Sequence, residues 1–192
     1  MKKFFALAVA MVVALGASAQ IQKGEKIVGA NIGFGNSAYT VDGGFSNILI
    51  PITIEGEYGI AEDLFGVDGL SLGVGPQISY TKANIDYSKH FDGANVGVKN
   101  SDLIIAAKGF FHYNVVNVDK LDTYAALALG YDRLSSKNYG DWGGYEMVEG
   151  AGGALFFGVS VGARYWFQEN LAANLEAGYG LSWLKLGVNF KF

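Results

Sequence analysis

The chain has 192 residues, 51% of them hydrophobic, a formal net charge of −4 and no cysteine. That length suits one domain; the missing cysteines exclude disulfides, thiolate metal sites, a cysteine nucleophile and a lipid-modified N-terminal cysteine; and the acidic balance argues against nucleic acid, which wants a basic face. Past the first twenty residues nothing approaches the ~20 apolar residues of a membrane-spanning helix, and the longest apolar run, "ILIPITI" from Ile48 to Ile54, contains Pro51.

The chain opens with "MKKFFALAVAMVVALGASAQ". Lys2 and Lys3 form a positive start, Phe4 to Leu15 an apolar middle, and Ala17, Ser18 and Ala19 a small-residue cleavage site. Residues 1–19 therefore read as an export signal removed before Gln20, and 20–192 as a single domain. Without Lys2 and Lys3 the remainder holds 12 basic and 18 acidic residues, a formal charge of −6.

Eight runs of alternation follow: Ile27–Gly35, Ile48–Tyr58, Leu70–Thr81, Leu103–Tyr113, Thr123–Tyr131, Ala154–Phe167, Asn170–Tyr179 and Trp183–Phe192. Most are close to the ~9–11 residues of a tilted membrane-crossing strand, and none has a helical period. The linkers alternate in length. Asn36–Asn47, Lys82–Asp102 and Asp132–Gly153 are long and rich in Gly, Asn, Asp, Ser and Tyr, whereas Gln168–Glu169 is the shortest of the others, and Gly180–Ser182 makes a short final loop. Long loops at one end and short turns at the other is the habit of an outer-membrane barrel, whose turns face the periplasm. The fold class read here is all-β: an eight-stranded antiparallel up-and-down transmembrane β-barrel.

One face of each run is bulky, as in Ile50, Ile52, Ile54 or Leu155, Phe157, Val159. The other is small or polar, as in Ser71, Gly73, Gly75, Gln77, Ser79. A soluble barrel would turn the bulky face inward and carry a well-charged exterior. Here the small face has few charges, which suits a narrow lumen. The bulky-face aromatics sort by depth: Phe34, Tyr80, Tyr131 and Tyr179 toward one end, and Tyr58, Phe111, Tyr113, Tyr165, Phe167, Phe190 and Phe192 toward the other. Mid-strand positions are Ile, Leu, Val and Ala. Two aromatic girdles are expected at two membrane interfaces, and a soluble core has no reason to sort its rings this way.

The last run, "LSWLKLGVNFKF", keeps Leu184, Leu186, Val188, Phe190 and Phe192 in phase to the final residue. In lipid an open sheet edge is not tolerated, so this strand must close the barrel. The pattern looks like the C-terminal signal of outer-membrane barrels, with Phe190 and Phe192 as its aromatic end. With the leader and the eight strands, the mature chain resembles the small OmpA/OmpX-like porin-family barrels of Gram-negative bacteria, and the style of the leader fits a Bacteroidetes source. The resemblance implies localisation to the outer membrane, contact with outer-membrane lipid and recognition by the barrel-assembly machinery. It implies a non-enzymatic, structural or porin-like surface protein with a largely plugged lumen. The sequence carries nothing like the C-terminal peptidoglycan-binding domain of full-length OmpA, so no cell-wall anchoring is expected.

The inward face carries Glu55, Glu57, Lys108, Arg164, Glu176 and Lys185. In a lumen scarcely wider than its own side chains, such ions must be paired or hydrated, and a structural salt-bridge plug is the expectation. If the sixth and seventh strands pair across their short turn, Arg164 lies opposite Asn174 and diagonal to Glu176, within reach of a long side chain. A narrow ion path is the alternative. A lipid-modifying enzyme is another, because His90 lies in "DYSKHFD" with Asp86, Ser88 and Asp92, but all four share one loop with no base-orienting spacing. His112, near the periplasmic end of its strand, is expected to make a lumen hydrogen bond. A soluble periplasmic ligand-binding barrel is a third alternative, opposed by the sorted aromatics. "GFGNSA" (Gly33–Ala38) matches a dinucleotide fingerprint only in letters, since no helix follows. The aromatics of "KNYGDWGGYEMVEG", Tyr139, Trp142 and Tyr145, are expected to fold onto the barrel rim. No cofactor and no metal site is expected.

Overall fold

The computed structural model describes residues 20–36, 45–87, 95–113, 116, 118–142 and 149–192, with the backbone alone for 45–48. Eight strands follow one another: β1 (Lys26–Asn36), β2 (Phe45–Ala61), β3 (Ser71–Asp86), β4 (Gly97–His112), β5 (Leu121–Tyr139), β6 (Gly150–Gln168), β7 (Leu171–Tyr179) and β8 (Ser182–Lys191). Each pairs antiparallel with the next, and β8 returns to β1, so the sheet is a closed barrel. The closing seam runs from Ile27 opposite Lys191 to Asn36 opposite Ser182. No edge is left to meet lipid, the condition a spanning sheet must satisfy.

The bulky face points outward. Ile54, Ile78, Ile105, Leu129, Val161 and Val188 are each about half exposed or more, which in a water-soluble protein would be an unsustainable belt. The girdle aromatics share that wall: Phe34, Tyr80, Tyr131 and Tyr179 at one end and Tyr58, Phe111, Tyr113, Phe167, Phe190 and Phe192 at the other. The opposite phase is buried and polar, including Asn31, Thr53, Gln77, Ser79 and Asn174. Glycine on that face makes room for larger neighbours. A Cβ on Gly162 would stand 2.3 Å from Cζ of Tyr124, and one on Gly73 would stand 2.1 Å from Oε1 of Glu57. Pro51 is buried where the β2–β3 register slips between Leu49 and Ile52, a position that asks no ladder hydrogen bond of it.

Four strands run well past the sequence limits. The segments 82–86, 97–102, 132–139 and 150–153, expected as loop, are paired strand. A strand of 16–19 residues reaches about 53–63 Å, or about 40–48 Å when tilted by ~40°. The lipid band is only ~25 Å tall, so much of each long hairpin stands in water. There the ladder continues without the alternation that marks a buried face, as in Ser136 Oγ donating to Asn100 Oδ1 at 2.6 Å.

The end bearing the short turns also holds the chain from Gln20. Gly24 donates to Gly59 O at 2.9 Å and Gly59 to Glu25 O at 3.0 Å. Ile21 packs with Ile27, Trp166 and Ala172 in an apolar floor. A 3₁₀ turn, Leu64–Gly66, interrupts the β2–β3 connection.

Candidate functional site

The lumen is where inward side chains from all eight strands converge. When a sheet of eight strands closes on itself, it leaves an interior that side chains fill. Above the floor, toward the long hairpins, lie two linked groups of charge. The lower contains Glu57 of β2, His112 of β4, Asp122 of β5 and Arg164 of β6. His112 Nε2 is 2.6 Å from Glu57 Oε1, and its Nδ1 is 2.9 and 3.0 Å from the two Asp122 oxygens. Arg164 Nη1 is 2.6 Å from Glu57 Oε2 and 3.7 Å from Asp122 Oδ2. Its guanidinium also lies 4.7 Å from the Tyr124 ring centre and 5.2 Å from that of Phe110, a cation–π arrangement. Ionised carboxylates only accept, so both ring nitrogens of His112 donate and the ring is an imidazolium. Two cations then face two anions, and the group is neutral.

The upper group is also neutral. Lys108 Nζ of β4 is 2.8 Å from Glu55 Oε2 and 2.6 Å from Glu176 Oε2, and Lys185 Nζ of β8 is 2.7 Å from Glu176 Oε1. Neutral polar groups complete it. Asn31 Nδ2 donates to Glu55 Oε1 at 3.2 Å, and Asn174 Nδ2 to Asn31 Oδ1 at 2.8 Å. Tyr124 joins the two groups: its hydroxyl is 3.0 Å from both Glu176 Oε2 and Asn174 Oδ1, and its ring carries the Arg164 guanidinium of the lower group. Next along the lumen come Ile104, Ala106, Ala128, Phe156 and Leu181, an apolar layer. Charged layers thus sit between an apolar floor and an apolar ceiling.

All six lumen ions read from the sequence are inward and in contact with at least one opposite charge. One partner is corrected. Arg164 does lie opposite Asn174, but its ion pairs go across the lumen to Glu57 and to Asp122 of β5, while the diagonal neighbour Glu176 is taken by Lys108 and Lys185. Sequence reasoning missed Asp122 and gave His112 one bond where it makes contact through both nitrogens. The available signal was phase: Asp122, Tyr124, Ala126 and Ala128 alternate inward on β5. Phe190 and Phe192 stack at 6.2 Å between ring centres on the outer wall of the closing strand.

His90, Ser88 and Asp92 lie outside the described residues, as do Tyr145 and Met147. Trp142 is buried at the rim, 5.9 Å from the Tyr87 ring. Gly33–Asn36 of the nucleotide-like hexapeptide is strand, so that stretch offers no helix terminus to a phosphate. Among the described residues no group of three or more His, Cys, Asp and Glu side chains is placed to hold a metal ion.

The sequence profile of the outer membrane protein beta-barrel domain matches residues 5–191. The chain belongs to this family. Its members are outer-membrane proteins, and this barrel resides in the outer membrane; the short turns of such barrels face the periplasm. Two solved barrels share the outer-membrane fold. A major outer membrane protein from Thermus thermophilus superposes with a TM-score of 0.58 at 14% identity, covering 89% of this chain and 100% of that one. Ail, the attachment invasion locus protein of Yersinia pestis, solved in complex with the heparin analogue sucrose octasulfate, gives 0.52 at 15% identity, again covering 89% and 100%. No curated protein sequence matches the chain.

Proposed function

We propose that this outer-membrane barrel is a non-catalytic surface protein whose lumen is plugged by its own charges and whose long hairpins are its working surface. The observation that carries the reading is the pair of neutral ion groups, eight ions from β2, β4, β5, β6, β7 and β8, linked through Tyr124. Buried ions in such a network are held by mutual attraction and hydrogen bonds, and freeing one leaves an uncompensated charge. Permeant ions therefore meet no free charge to exchange with and two apolar layers to cross. A catalytic reading has less support. Of the two histidines, His112 is wedged between two carboxylates near the periplasmic end, with neither nitrogen available as a base.

Conductance of the purified barrel in planar bilayers tests the proposal. A silent membrane at moderate voltage is the expected result. Well-resolved single-channel steps from the unaltered protein would replace it with the narrow-channel alternative. The barrel-assembly machinery would read the closing strand, with its outward Phe190 and Phe192.

A further inference from the structure

We propose that the outward wall of β3, β4 and β5, just beyond the outer aromatic girdle, binds the phosphate groups of a phosphorylated glycolipid of the outer leaflet through Lys82, Lys99, Arg133 and Lys137. This site depends on the outer-membrane placement alone, and it is independent of whether the lumen conducts.

The ladder register puts the four cations together. Tyr80 of β3 is opposite Leu103 of β4, which is opposite Arg133 of β5. In the next outward row Lys82 is opposite Ser101, itself opposite Ser135. In the row after that Asn84 is opposite Lys99, and Lys99 is opposite Lys137. All four side chains are exposed. The row below Tyr80 is Ile78, Ile105 and Tyr131, which belongs to the lipid-facing belt. The patch extends about 13 Å along β5 and about 10 Å across the three strands.

Two features ask for an anion. Lys99 and Lys137 are directly opposite, and like charges in that relation oppose pairing of the strands. None of the four makes an ion pair with a described residue; Lys99 alone has a partner, the Tyr139 ring at 5.0 Å. The carboxylates bordering that face are Asp86, opposite Gly97 one row further out, and Glu149, whose Oε1 accepts from the backbone N–H of Asn138 beside Lys137. The distribution is also one-sided. In an acidic mature chain, the remaining cations of the described residues are in the lumen (Lys108, His112, Arg164, Lys185) or at the periplasmic end (Lys23, Lys26, Lys120, Lys191). Among the described residues, the upper walls of β1, β2, β6, β7 and β8 carry none.

The position selects the source of the anion. A phosphate held by Arg133 and Lys82 would stand beside Tyr80 and Leu103, with apolar wall directly below. Arginine can grip it bidentately and the lysines supply point charge. A lipid whose phosphates lie at the headgroup level and whose acyl chains run down Ile78 and Ile105 satisfies both halves, whereas a soluble polyanion uses only the first.

The test is native mass spectrometry of the full-length mature barrel in detergent, with diphosphoryl lipid A and with the same lipid after removal of its phosphates. Retention of the diphosphoryl form at least tenfold above the dephosphorylated form is expected. Substituting all four cations with Gln should bring the two to the same level, with heat-modifiable gel migration intact. Lys137→Glu gives a second readout: by facing Lys99 with an opposite charge it should raise the unfolding temperature of the lipid-free barrel while lowering lipid A retention. Equal retention of the two lipids, or full retention by the four-fold variant, overturns the site. So does complete displacement by millimolar inorganic pyrophosphate, which would mark a site for free phosphate. Retention of sucrose octasulfate without lipid A would also overturn it, marking a surface for soluble polyanions.

Discussion

Arg164 is fully buried, and its charge is answered chiefly by Glu57 at 2.6 Å. Breaking a buried pair by removing one partner costs about 3–5 kcal/mol. Arg164→Met should therefore be strongly destabilising, since it leaves Glu57 and Asp122 sharing His112 alone. Adding Glu57→Gln should recover much of that loss. The remaining His112–Asp122 pair is neutral, and the carbonyl of the new side-chain amide can still accept from Nε2. A double-mutant cycle by urea unfolding in lipid vesicles measures the coupling, and strictly additive effects would mean the pair is not an energetic unit. The glycines make a companion case on one strand. Gly162→Ala drives a methyl into the Tyr124 ring, whereas a Cβ on Gly152 meets nothing within 4 Å. Overpacking of this kind costs about 1–3 kcal/mol, so Gly162→Ala should lower the unfolding midpoint and Gly152→Ala should leave it within error.

The closing strand separates assembly from stability. Phe190 and Phe192 are on the lipid wall, with Phe192 donating its backbone N–H to Lys26 O at 3.0 Å. Replacing both rings with Ser leaves the β1–β8 ladder available but strips the aromatic end. The expected outcome is a lower yield of barrel in the outer membrane on pulse-chase fractionation. The fraction that does fold should keep heat-modifiable migration; an unchanged yield would remove the assembly role. Strand phase was legible throughout, because a half-buried strand must alternate, and Ile50, Ile52 and Ile54 against Thr53, Glu55 and Glu57 leave one solution. Strand ends were not. Above the membrane neither wall of β3–β6 needs to be apolar, so Lys99, Asn100, Ser101 and Ser135, Ser136, Lys137 read as loop while their backbones remain paired.

At the scale of the barrel, sequence distance and local register say which residues face inward but not which meet across the lumen. Lys108 finds Glu55 and Glu176, 53 and 68 residues away, because the sheet closes and brings β2, β4 and β7 around one axis. The Arg164–Glu57 pair is hidden from a strand-by-strand reading for the same reason. Closure also makes Lys108 the residue on which the upper group depends. It is the cation shared by both carboxylates, while Lys185 touches Glu176 alone. Lys108→Met keeps the volume of the stem but leaves Glu55 with only the Asn31 amide. The upper group then carries one excess negative charge in a lumen bounded by apolar layers. A buried unpaired carboxylate either takes up a proton or, while it stays ionised, draws in water and a counter-cation. Planar bilayers holding Lys108→Met should accordingly show small, cation-selective conductance where the unaltered barrel is silent. Adding Glu55→Gln, which removes the excess charge, should restore the silence. A Lys108→Met barrel that stays closed would show that the apolar layers around Ile21 and Phe156, and not the ion groups, seal the lumen.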